Sequence, residues 1–561
     1  MNHDQNTTQR LSSCLPQIHQ IHTITQTPSI TFGVIHHGKI ILRESIGYLD
    51  SKQSLPANPD TSYMIGSCSK MFTSAALGIL VHEGKINWTD RIQDYIPEFN
   101  PASDPRIGRE ADIIDCLRHS TGLTSPSMLC LGPRGTILTD EEDLVPLLNV
   151  MPSVNGNGEQ RFNKEWLYNN YTVGLVALII QRVTGQRFAE FVRERILLPL
   201  GMHRTATRQC DSAEDPNTAK PCVKMQNGQF RQLDSSSWPC ETHSPLLAAT
   251  GMRSTLNDML TWCTAVLDAE ERESNNPGYQ TTVPGNPLKQ MSRVRRGYWT
   301  RPADDPEVSK AAEYGMGWYR AEIPSSMLSA LSGNGLSRGA EHRLHCENIL
   351  GRDRKAAPIT MIGHTGGMAG SIFSVFTFPS TKSAVVTMTN GRDFGDASDF
   401  TAQILIQALF DLRPAVDLIS WTKAEARLAA SSYREEIEEP WEENRRLDDS
   451  EREDPMLYSG EYSGFNGRFT LSIGAVAQCG SKALSVVFNH RAASECPLVF
   501  YRQDVYSFYQ PGEDRRKVQG ICARDYKQML LEFQVNEVGG VQGLWWQWDV
   551  DSEPAWFERL S

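Results

Sequence analysis

Residues 63–84 read YMIGSCSKMFTSAALGILVHEG, and this stretch decides the fold. From Met71 onward its apolar residues recur at helical spacing, and Gly84 is a suitable helix stop. The pattern therefore predicts a helix whose N-terminus lies at Ser67. Lys70 follows three residues later, so the two side chains are expected on one face of that helix. A serine and a lysine in this arrangement suit a nucleophile with a general base.

The chemistry expected of this pair follows from its place at the start of a helix. Exposed backbone N–H groups there favour negative charge, so they would stabilise an oxyanion formed at Ser67. Lys70, if burial against the helix removes its proton, would activate the Ser67 hydroxyl. The pattern Ser-x-x-Lys is weak by itself, because a serine at a helix start is most often only an N-cap. The choice between the two interpretations therefore depends on other parts of the chain.

Composition and charge limit the class of protein. With 561 residues the chain exceeds one ordinary core, which predicts two domains. Its residues are 40% hydrophobic and 22% charged, as in a soluble globular protein. No run of about 18 or more apolar residues suggests a membrane span. The formal net charge of −12 argues against nucleic acid and anionic membranes as partners.

The N-terminus and the cysteines predict a compartment. Residues 1–17, MNHDQNTTQRLSSCLPQ, lack the basic and apolar segments of a secretory signal. The 12 cysteines show neither CxxC pairs nor regular spacing, so neither a zinc site nor a disulfide framework is expected. We therefore expect a cytoplasmic protein with reduced thiols, in which Cys68 and Cys116 are small core residues.

A β-hairpin and a helix are predicted ahead of residue 190, and a second polar motif directly precedes that helix. Residues 29–50 alternate apolar and polar residues and predict a β-hairpin. Residues 162–185 contain an apolar helix that starts near Val173, and Tyr168-Asn169-Asn170 precedes it in a loop. Taken alone, Tyr-x-Asn is a weak signal, because a buried tyrosine with a bonded hydroxyl is the ordinary case.

A third polar motif lies on a predicted strand. Residues 359–391, ITMIGHTGGMAGSIFSVFTFPSTKSAVVTMTNG, predict two or three antiparallel strands. The motif His364-Thr365-Gly366-Gly367 lies at the end of the first strand, where its glycines would let a ligand approach the backbone. Upstream, residues 247–267 predict a helix that is capped at Ser254-Thr255.

The remaining segments differ in character. Irregular stretches rich in glycine, proline and serine cover residues 207–245, 268–312 and 322–357, and their length suggests lids or insertions around a pocket. Residues 423–455 are strongly charged and contain Pro440, which predicts a solvated helix or linker. From residue 458 onward, short alternating strands with turns between them predict a small antiparallel barrel or sandwich.

Three weak motifs in a fixed order make a stronger one. Ser67-x-x-Lys70, Tyr168-x-Asn170 and His364-Thr365-Gly366 resemble, in this order, the motifs S-x-x-K, S-D-N and K-T-G of serine β-lactamases and penicillin-binding proteins. Supporting similarity lies in FGVIHHGKI, GYLD, LVHEGKINWTDRIQDYIPEF, LRHSTGL, YGMGWY and GHTGGMAGSIFS.

The resemblance covers about residues 28–412. Within the superfamily it is to the branch of class C β-lactamases, esterases and D-aminopeptidases (peptidase family S12), where Tyr-x-Asn replaces Ser-Asp-Asn. Residues 458–561, starting YSGEYSG, resemble the lipocalin-like barrel appended to some members of that branch.

The resemblance implies an α+β fold in two parts. The first is a β-lactamase/transpeptidase-like domain, with an antiparallel sheet flanked by helices and a helical lobe. The second is a small all-β barrel. The implied domains are an N-terminal extension at 1–27, a catalytic domain at 28–415, a charged linker at 416–455 and a lipocalin-like barrel at 456–561.

The resemblance also implies catalytic roles. Ser67 attacks an acyl carbonyl, and Lys70 and Tyr168 share the proton transfer, with Tyr168 acting as a phenolate or as a hydrogen-bonded relay. Asn170 orients either the substrate amide or Lys70. The backbone N–H groups of Ser67 and Gly367 form the oxyanion hole.

His364, Thr365 and Gly366 are implied to bind the substrate. His364 replaces the lysine common in the family, and a histidine is mostly neutral near pH 7 unless its pKa is raised. This change argues against a β-lactam carboxylate as the natural substrate and resembles D-aminopeptidases and esterases. If His364 meets a substrate carboxylate, substrate affinity is expected to titrate between about pH 6 and 7.

Three functions stay open at this point. The favoured one is a serine hydrolase that cleaves an ester or amide of a small molecule or short peptide through an acyl-enzyme. An acyltransferase of natural-product biosynthesis would pass the same acyl group, taken from an ester, amide or acyl-thioester, to an alcohol or amine. A catalytically silent scaffold is the third, and the presence of all four polar motif residues argues against it. No metal or cofactor is expected, and a homodimer is the candidate assembly.

Overall fold

The computed structural model places a helix-flanked antiparallel sheet ahead of a closed β-barrel. It describes residues 3–208, 215–233, 244–275, 285–302, 311–325, 331–334, 349–368, 370–446, 454–478, 481–521 and 523–560. This arrangement confirms the predicted fold class, an α+β domain followed by a small all-β barrel.

The helices are numbered in chain order. They are α1 (His3–Ser13), α2 (Leu15–Thr25), α3 (Ser69–His82), α4 (Pro105–Glu110), α5 (Ile113–Leu117), α6 (Ser127–Cys130), α7 (Leu144–Val150), α8 (Asn170–Thr184), α9 (Phe188–Val192), α10 (Leu198–Leu200), α11 (Leu247–Thr250), α12 (Leu256–Asn275), α13 (Met291–Val294), α14 (Ala397–Leu409), α15 (Leu418–Tyr433), α16 (Glu439–Glu443) and α17 (Glu513–Gln519). Within the described residues, none of them is both long enough and apolar enough to span a membrane.

The strands are numbered in the same way. They are β1 (Ser29–His36), β2 (Lys39–Gly47), β3 (Tyr63–Met64), β4 (Cys222–Lys224), β5 (Phe230–Gln232), β6 (Arg253–Ser254), β7 (Trp299–Arg301), β8 (Ala312–Tyr314), β9 (Tyr319–Ile323), β10 (Ile359–Met368), β11 (Ser371–Phe378), β12 (Ser383–Thr389), β13 (Gly460–Gly464), β14 (Phe469–Gln478), β15 (Ser481–Phe488), β16 (Cys496–Arg502), β17 (Val505–Ser507), β18 (Leu530–Val535), β19 (Val541–Trp546) and β20 (Ala555–Arg559).

One large antiparallel sheet supports the first part of the chain, in the order β2-β1-β12-β11-β10-β9-β8-β7. Helix α12 packs on one face, and α14 packs on the other face with α1 and α2 behind it. Strands β1, β11 and β12 are therefore buried along their whole length, which explains their continuous apolar sequence. The predicted hairpin is confirmed, and the two or three strands predicted over residues 359–391 are three, β10, β11 and β12.

The serine helix lies at the centre of the helical lobe. Helix α3 begins directly after a 3₁₀ turn at Gly66–Cys68 and ends at His82, just before Gly84. It is buried almost all round, and α8, α11 and α13 pack against it. The helix predicted from the apolar spacing is confirmed.

The helix predicted over residues 247–267 is wrong in one respect. The chain forms two helices, α11 and α12, because Arg253-Ser254 between them pairs with Tyr63-Met64 just ahead of the serine turn. The predicted cap is found at the start of α12, where the Asp258 N–H donates to Thr255 Oγ1 at 3.2 Å. Backbone pairing with a distant strand thus interrupts a locally helical sequence.

The stretches predicted to be irregular contain more regular structure than expected. Helix α12 continues to Asn275, and β4, β5 and β7 lie within these stretches. Strand β7 extends the large sheet together with β8, which begins at the last residue of the second stretch. The other parts of 207–245, 268–312 and 322–357 lie partly outside the described residues.

Strands β13 to β20 close into an antiparallel barrel, which confirms the barrel predicted from the alternation. Aromatic rings pack inside it. Trp546 contacts the rings of Phe469, Phe488, Phe508 and Phe557. Trp546 and Trp548 are buried in the core, whereas Trp545 is 43% exposed.

The segments that flank the sheet domain pack against it. Helices α1 and α2 lie on α14, and Arg10 Nε donates to the Ala408 carbonyl at 2.8 Å. Helix α15, inside the segment predicted to be a charged linker, buries Leu418, Thr422 and Ala426 and packs against α2 and α14. The domain limits at residues 27, 415 and 455 stay predictions.

Two glycines allow β10 to lie directly against the turn that carries Ser67. A Cβ added at Gly366 would lie 2.0 Å from the Ile65 carbonyl oxygen. A Cβ at Gly66, whose φ is +51°, would lie 2.7 Å from the Gly367 nitrogen. Backbone atoms cannot move aside as a flexible side chain can, so this approach requires glycine. At Gly367 itself an added Cβ has no neighbour within 4 Å.

Substitution of the two adjacent glycines of β10 tests this contact. We expect Gly366→Ala to lower the free energy of unfolding by about 2 kcal/mol or more, because the methyl group collides with backbone. Gly367→Ala, the matched control, is expected to change it by no more than about 0.5 kcal/mol. Thermal unfolding followed by circular dichroism measures the difference. Equal melting temperatures for the two variants would contradict the close approach.

Candidate active site

Ser67 and Lys70 meet as their spacing predicts. Ser67 lies in the 3₁₀ turn before α3, and Lys70 lies in the first turn of that helix. Lys70 Nζ is 3.1 Å from Ser67 Oγ. The turn is held in place by Ser69, whose hydroxyl donates to the Gly66 carbonyl at 2.7 Å and accepts from the Met252 N–H at 3.0 Å. The nucleophile candidate is therefore fixed relative to both the helix and β6.

Lys70 is fully buried, and its amine has three polar neighbours. Lys70 Nζ donates to Asn170 Oδ1 at 2.7 Å and to the Ala249 carbonyl at 3.0 Å, and Ser67 Oγ is the third neighbour. Burial holds the pKa of Lys70 well below 10.5, because the ammonium form would lose its hydration. A neutral amine has two N–H groups and one lone pair. If Lys70 is neutral, the two oxygen acceptors use both of its N–H groups, and the lone pair is left for the Ser67 hydroxyl.

Tyr168 approaches Ser67 from a different element. Its hydroxyl donates to Ser67 Oγ at 2.8 Å. Asn169 fixes the position, because its side chain caps α8 by accepting from the N–H groups of Tyr171 and Thr172 at 2.9 and 3.3 Å. Burial raises the pKa of Tyr168, so the phenol is protonated at neutral pH. Of the two roles expected for Tyr168, the resting geometry fits the hydrogen-bonded relay rather than the phenolate.

Asn170 is the first residue of α8, and its Oδ1 accepts from Lys70. Of the two roles left open for Asn170, this contact corresponds to the orientation of Lys70. The structure therefore brings Ser67, Lys70, Tyr168 and Asn170 into one hydrogen-bonded group, although Asn170 is 100 residues from Lys70 in the chain.

The third motif lies on β10, beside the same turn. A Cβ added at Gly366 would be 3.0 Å from the Ser67 nitrogen, so the backbones of the two elements nearly touch. His364, Thr365, Gly366 and Gly367 line the same cavity as Ser67. Ser67 and Gly367, whose N–H groups are predicted to form the oxyanion hole, thus border one cavity.

His364 is a buried, neutral residue and not a replacement cation. It is 2% exposed, its Nε2 lies 2.8 Å from the Tyr314 hydroxyl, and its Nδ1 bonds to the Thr365 carbonyl. Nδ1 must carry the proton that the carbonyl accepts, so Nε2 accepts from Tyr314. Burial, with the nearby Lys70 as a smaller cause, lowers the pKa of His364 to about 3. Without a substrate the imidazole therefore stays neutral near pH 7, because it lacks the hydration that would stabilise its charge. The titration of substrate affinity expected if His364 meets a substrate carboxylate stays a prediction.

The cavity in front of Ser67 has a volume of about 330 Å³. Several of its lining residues were not indicated by any motif. These are Trp166, Arg301, Leu331, Gly333, Ile372, Arg392 and Asp396. Leu331 and Arg301 come from the stretches predicted to form lids around a pocket, and both do line it. Trp166 lies outside those stretches, but its position two residues before Tyr168 in the sequence gave a further signal.

Trp166 and Tyr168 also line a second cavity, of about 400 Å³, between the helical lobe and the barrel. The barrel contributes one wall. That wall consists of Arg524, Gln528, Trp548, Asp549 and Asp551. Direct hydrogen bonds also join the two parts, for example from Asn489 Nδ2 to the Leu138 carbonyl at 2.6 Å. The barrel therefore shares a cavity with Tyr168, whose hydroxyl bonds to Ser67 Oγ.

Known proteins resemble this chain in sequence and in fold. The family model described as Beta-lactamase matches residues 17–408. Protein flp of Staphylococcus aureus (strain MW2) is 28% identical over 187 residues, which are 32% of this chain and 35% of that protein. The chain thus spans about a third of the length of this curated relative.

A solved structure, the octameric penicillin-binding protein homologue from Pyrococcus abyssi, is similar over nearly the whole chain. The TM-score is 0.54 at 16% sequence identity, and the match covers 98% of this chain and 99% of that one. At this identity the likeness concerns the fold alone, and it includes both the sheet domain and the barrel.

The protonation state of His364 gives a direct test of the site's electrostatics. Because its pKa is lowered from 6.5 to about 3, His364 is expected to stay neutral from pH 8 to pH 5. Between these two pKa values the unfolded chain binds one proton more than the folded chain at this residue, so its contribution to stability is lost as the pH falls. NMR of the histidine ring, assigned with His364→Gln, measures the titration. A midpoint between pH 6 and 7 would contradict the assignment.

Proposed function

The chain belongs to the β-lactamase family, and on this premise we propose that it is a serine acyl hydrolase. It forms an acyl-enzyme at Ser67 and cleaves an ester or amide of a small molecule or short peptide. One observation carries the proposal. Ser67 Oγ borders the cavity and lies 3.1 Å from Lys70 Nζ and 2.8 Å from the Tyr168 hydroxyl.

In the proposed acylation step, Ser67 Oγ bonds to the acyl carbon while its proton moves to the lone pair of Lys70. The carbonyl oxygen becomes an oxyanion beside the N–H groups of Ser67 and Gly367, and such a donor is worth about a hundredfold or more in rate. The intermediate then breaks its bond to the leaving group, which takes a proton from Tyr168. Tyr168 recovers a proton from Lys70, so both residues return to their resting states.

In the proposed deacylation step, water takes the place of the leaving group. The water oxygen bonds to the acyl carbon, and one water proton passes through Tyr168 to Lys70. The bond between the acyl carbon and Ser67 Oγ then breaks, and Ser67 takes the proton back from Lys70. The resting pKa directions support this cycle, because Lys70 begins as a base and Tyr168 begins as an acid.

Acyl transfer is the second candidate function, and one observation favours it. The cavity of about 400 Å³ that Tyr168 borders on the barrel side offers room for an alcohol or amine next to the proton relay. An acceptor bound there would replace water in the second step, and its proton would follow the same path. The hydrogen-bonded group at Ser67 argues against the third candidate, a silent scaffold.

The cytoplasmic location and the homodimer belong to this proposal as well. Seven cysteines of the described residues are free thiols, and all of them except Cys14 are buried. Free thiols of this kind support a reducing compartment. Cys68 and Cys116, expected to be small core residues, are fully buried, and burial raises the pKa of both thiols.

Intact-mass measurement tests the covalent mechanism. Wild-type protein is incubated with activated esters, D-amino acid amides and a penicillin, with Ser67→Ala as the matched control. We expect an acyl adduct on the wild type that maps to Ser67 and is absent from Ser67→Ala. An adduct that persists in the variant, or turnover that the variant retains, would contradict the mechanism.

The lifetime of the same adduct separates the two catalytic candidates. For a hydrolase, we expect the adduct to decay in water at a rate that added alcohols or amines leave unchanged. For an acyltransferase, the adduct persists in water and decays when the acceptor is supplied, with formation of the acylated acceptor. No adduct and no turnover with any substrate class would favour the scaffold instead.

A further inference from the structure

His119 contacts the chain on both sides of Tyr168. It lies two residues after α5 and is fully buried. Its carbonyl accepts from the Leu167 N–H at 2.9 Å, and its ring nitrogen Nδ1 accepts from the Asn169 N–H at 3.2 Å. Leu167 and Asn169 are the two chain neighbours of Tyr168. One residue thus fixes the backbone immediately before and immediately after the tyrosine.

The backbone of His119 adopts a conformation that is uncommon for a residue with a Cβ. Its φ is +63°, in the left-handed region. Such a conformation persists only where the surrounding contacts require it, and it is found most often at functional sites. At His119 the contacts in question are the carbonyl bond and the ring bond to residues 167–169. This double contact therefore accounts for the unusual backbone.

The ring of His119 also packs against the tyrosine itself. The centres of the His119 and Tyr168 rings are 4.3 Å apart. The rings of Trp166 and Tyr314 lie on other sides of the imidazole, at 5.8 and 5.1 Å. Tyr168 is thus supported at its ring and at both of its backbone neighbours, and its hydroxyl reaches Ser67 Oγ at 2.8 Å.

The hydrogen bonds of the His119 ring define its protonation. Because Nδ1 accepts a hydrogen from Asn169, it carries none itself, and the neutral ring has its hydrogen on Nε2. Among the described residues, Nε2 is buried without a hydrogen-bond partner. Burial, with Lys70 and His364 as smaller causes, holds the pKa of His119 well below 6.5. Neither ring nitrogen is available for proton transfer, so His119 acts on the site through position.

We propose that His119 is a positioning residue, which holds the Tyr168 hydroxyl where it protonates the leaving group. Without the Nδ1 acceptor, the buried Asn169 N–H would lose its partner, and residues 167–169 would shift to find another. A displacement of about 1 Å at a reacting group can cost about a hundredfold in rate. The proposal rests on the proposed function, because it concerns the proton that Tyr168 supplies in that mechanism.

Two acetate esters test this role through that proton. 4-Nitrophenyl acetate and 4-methylphenyl acetate have the same acyl group and leaving groups of similar size. 4-Nitrophenolate is a weak base that leaves without a proton, whereas 4-methylphenolate is a stronger base that needs one. Both esters form the same acyl-enzyme, so the ratio of their kcat/KM values reports on acylation alone.

The full chain is measured as wild type and as three variants, His119→Ala, His119→Asn and His36→Ala. Asparagine keeps an acceptor oxygen in the place of Nδ1 and tolerates a positive φ better than most residues. His36→Ala is the matched control. His36 is also buried, its Nδ1 lies 2.9 Å from Ser383 Oγ, and it is not among the residues that line either cavity.

We expect His119→Ala to raise the ratio of kcat/KM, nitrophenyl ester over methylphenyl ester, at least about tenfold, as for the loss of a general acid. His119→Asn and His36→Ala leave the ratio nearly unchanged. Tyr168→Phe raises the ratio by itself, and His119→Ala adds nothing in that background, because the proton donor is already absent.

Four kinetic results would overturn the proposal. They are an unchanged ratio in His119→Ala, an equal rise in His36→Ala, a rise in His119→Asn as large as in His119→Ala, and a further rise in the Tyr168→Phe background. Each of them would show that the acceptor at His119 does not act through Tyr168.

NMR of ¹⁵N-labelled histidine gives a readout that does not depend on the folding of a variant. In the wild type, with the His119 signals assigned through the contact with the Tyr168 ring, we expect a hydrogen on Nε2 and none on Nδ1. A hydrogen on Nδ1 would overturn the proposal, because Nδ1 could then not accept from Asn169.

Ser67→Ala separates this proposal from the proposed function. Turnover that Ser67→Ala abolishes, with an ester ratio that His119→Ala leaves unchanged, overturns the role of His119 alone. Turnover that Ser67→Ala retains overturns the proposed function, and the NMR result still decides whether His119 holds Asn169.

Discussion

A buried amine beside a serine is the constraint on which the rest of the site depends. Lys70 has no exposed surface, so its charged form would be costly unless the surrounding oxygen atoms replaced its hydration. Three elements supply those atoms: α8 brings Asn170, α11 brings the Ala249 carbonyl, and the turn before α3 brings Ser67. The helical lobe packs around α3 so that these three elements meet at the Nζ atom of Lys70.

The same burial keeps other groups of the site uncharged. His364, which lines the cavity, and Tyr314 bond to each other. Both are neutral, because burial lowers the pKa of His364 and raises the pKa of Tyr314. Two neutral side chains here suit the proposed chemistry, because a fixed cation beside Lys70 would lower the pKa of the lysine still further. Among the described residues that line the cavity, the permanent positive charges are those of Arg301 and Arg392.

The sequence predicted the parts of the fold that local pattern determines. The helix after Ser67 follows from apolar spacing, and the barrel follows from strict alternation, as at Phe469, Leu471 and Ile473. The break between α11 and α12 escaped prediction, because it depends on pairing with a strand almost 200 residues earlier. Arg301 escaped for a related reason: an arginine on a short edge strand has no local signal, and only the tertiary fold brings it to the cavity. The neutral state of His364 depends on burial, which sequence does not reveal.

The pKa of Lys70 tests the central claim most directly. NMR of lysine labelled with ¹³C at Cε, assigned with a Lys70 variant, follows the amine through its titration. We predict a midpoint well below 10.5, whereas Lys382, whose bond to Glu271 and contact with Asp268 raise its pKa, should shift in the opposite direction in the same spectra. A Lys70 midpoint at or above 10.5 would show a charged amine that cannot accept the Ser67 proton, and would contradict the account.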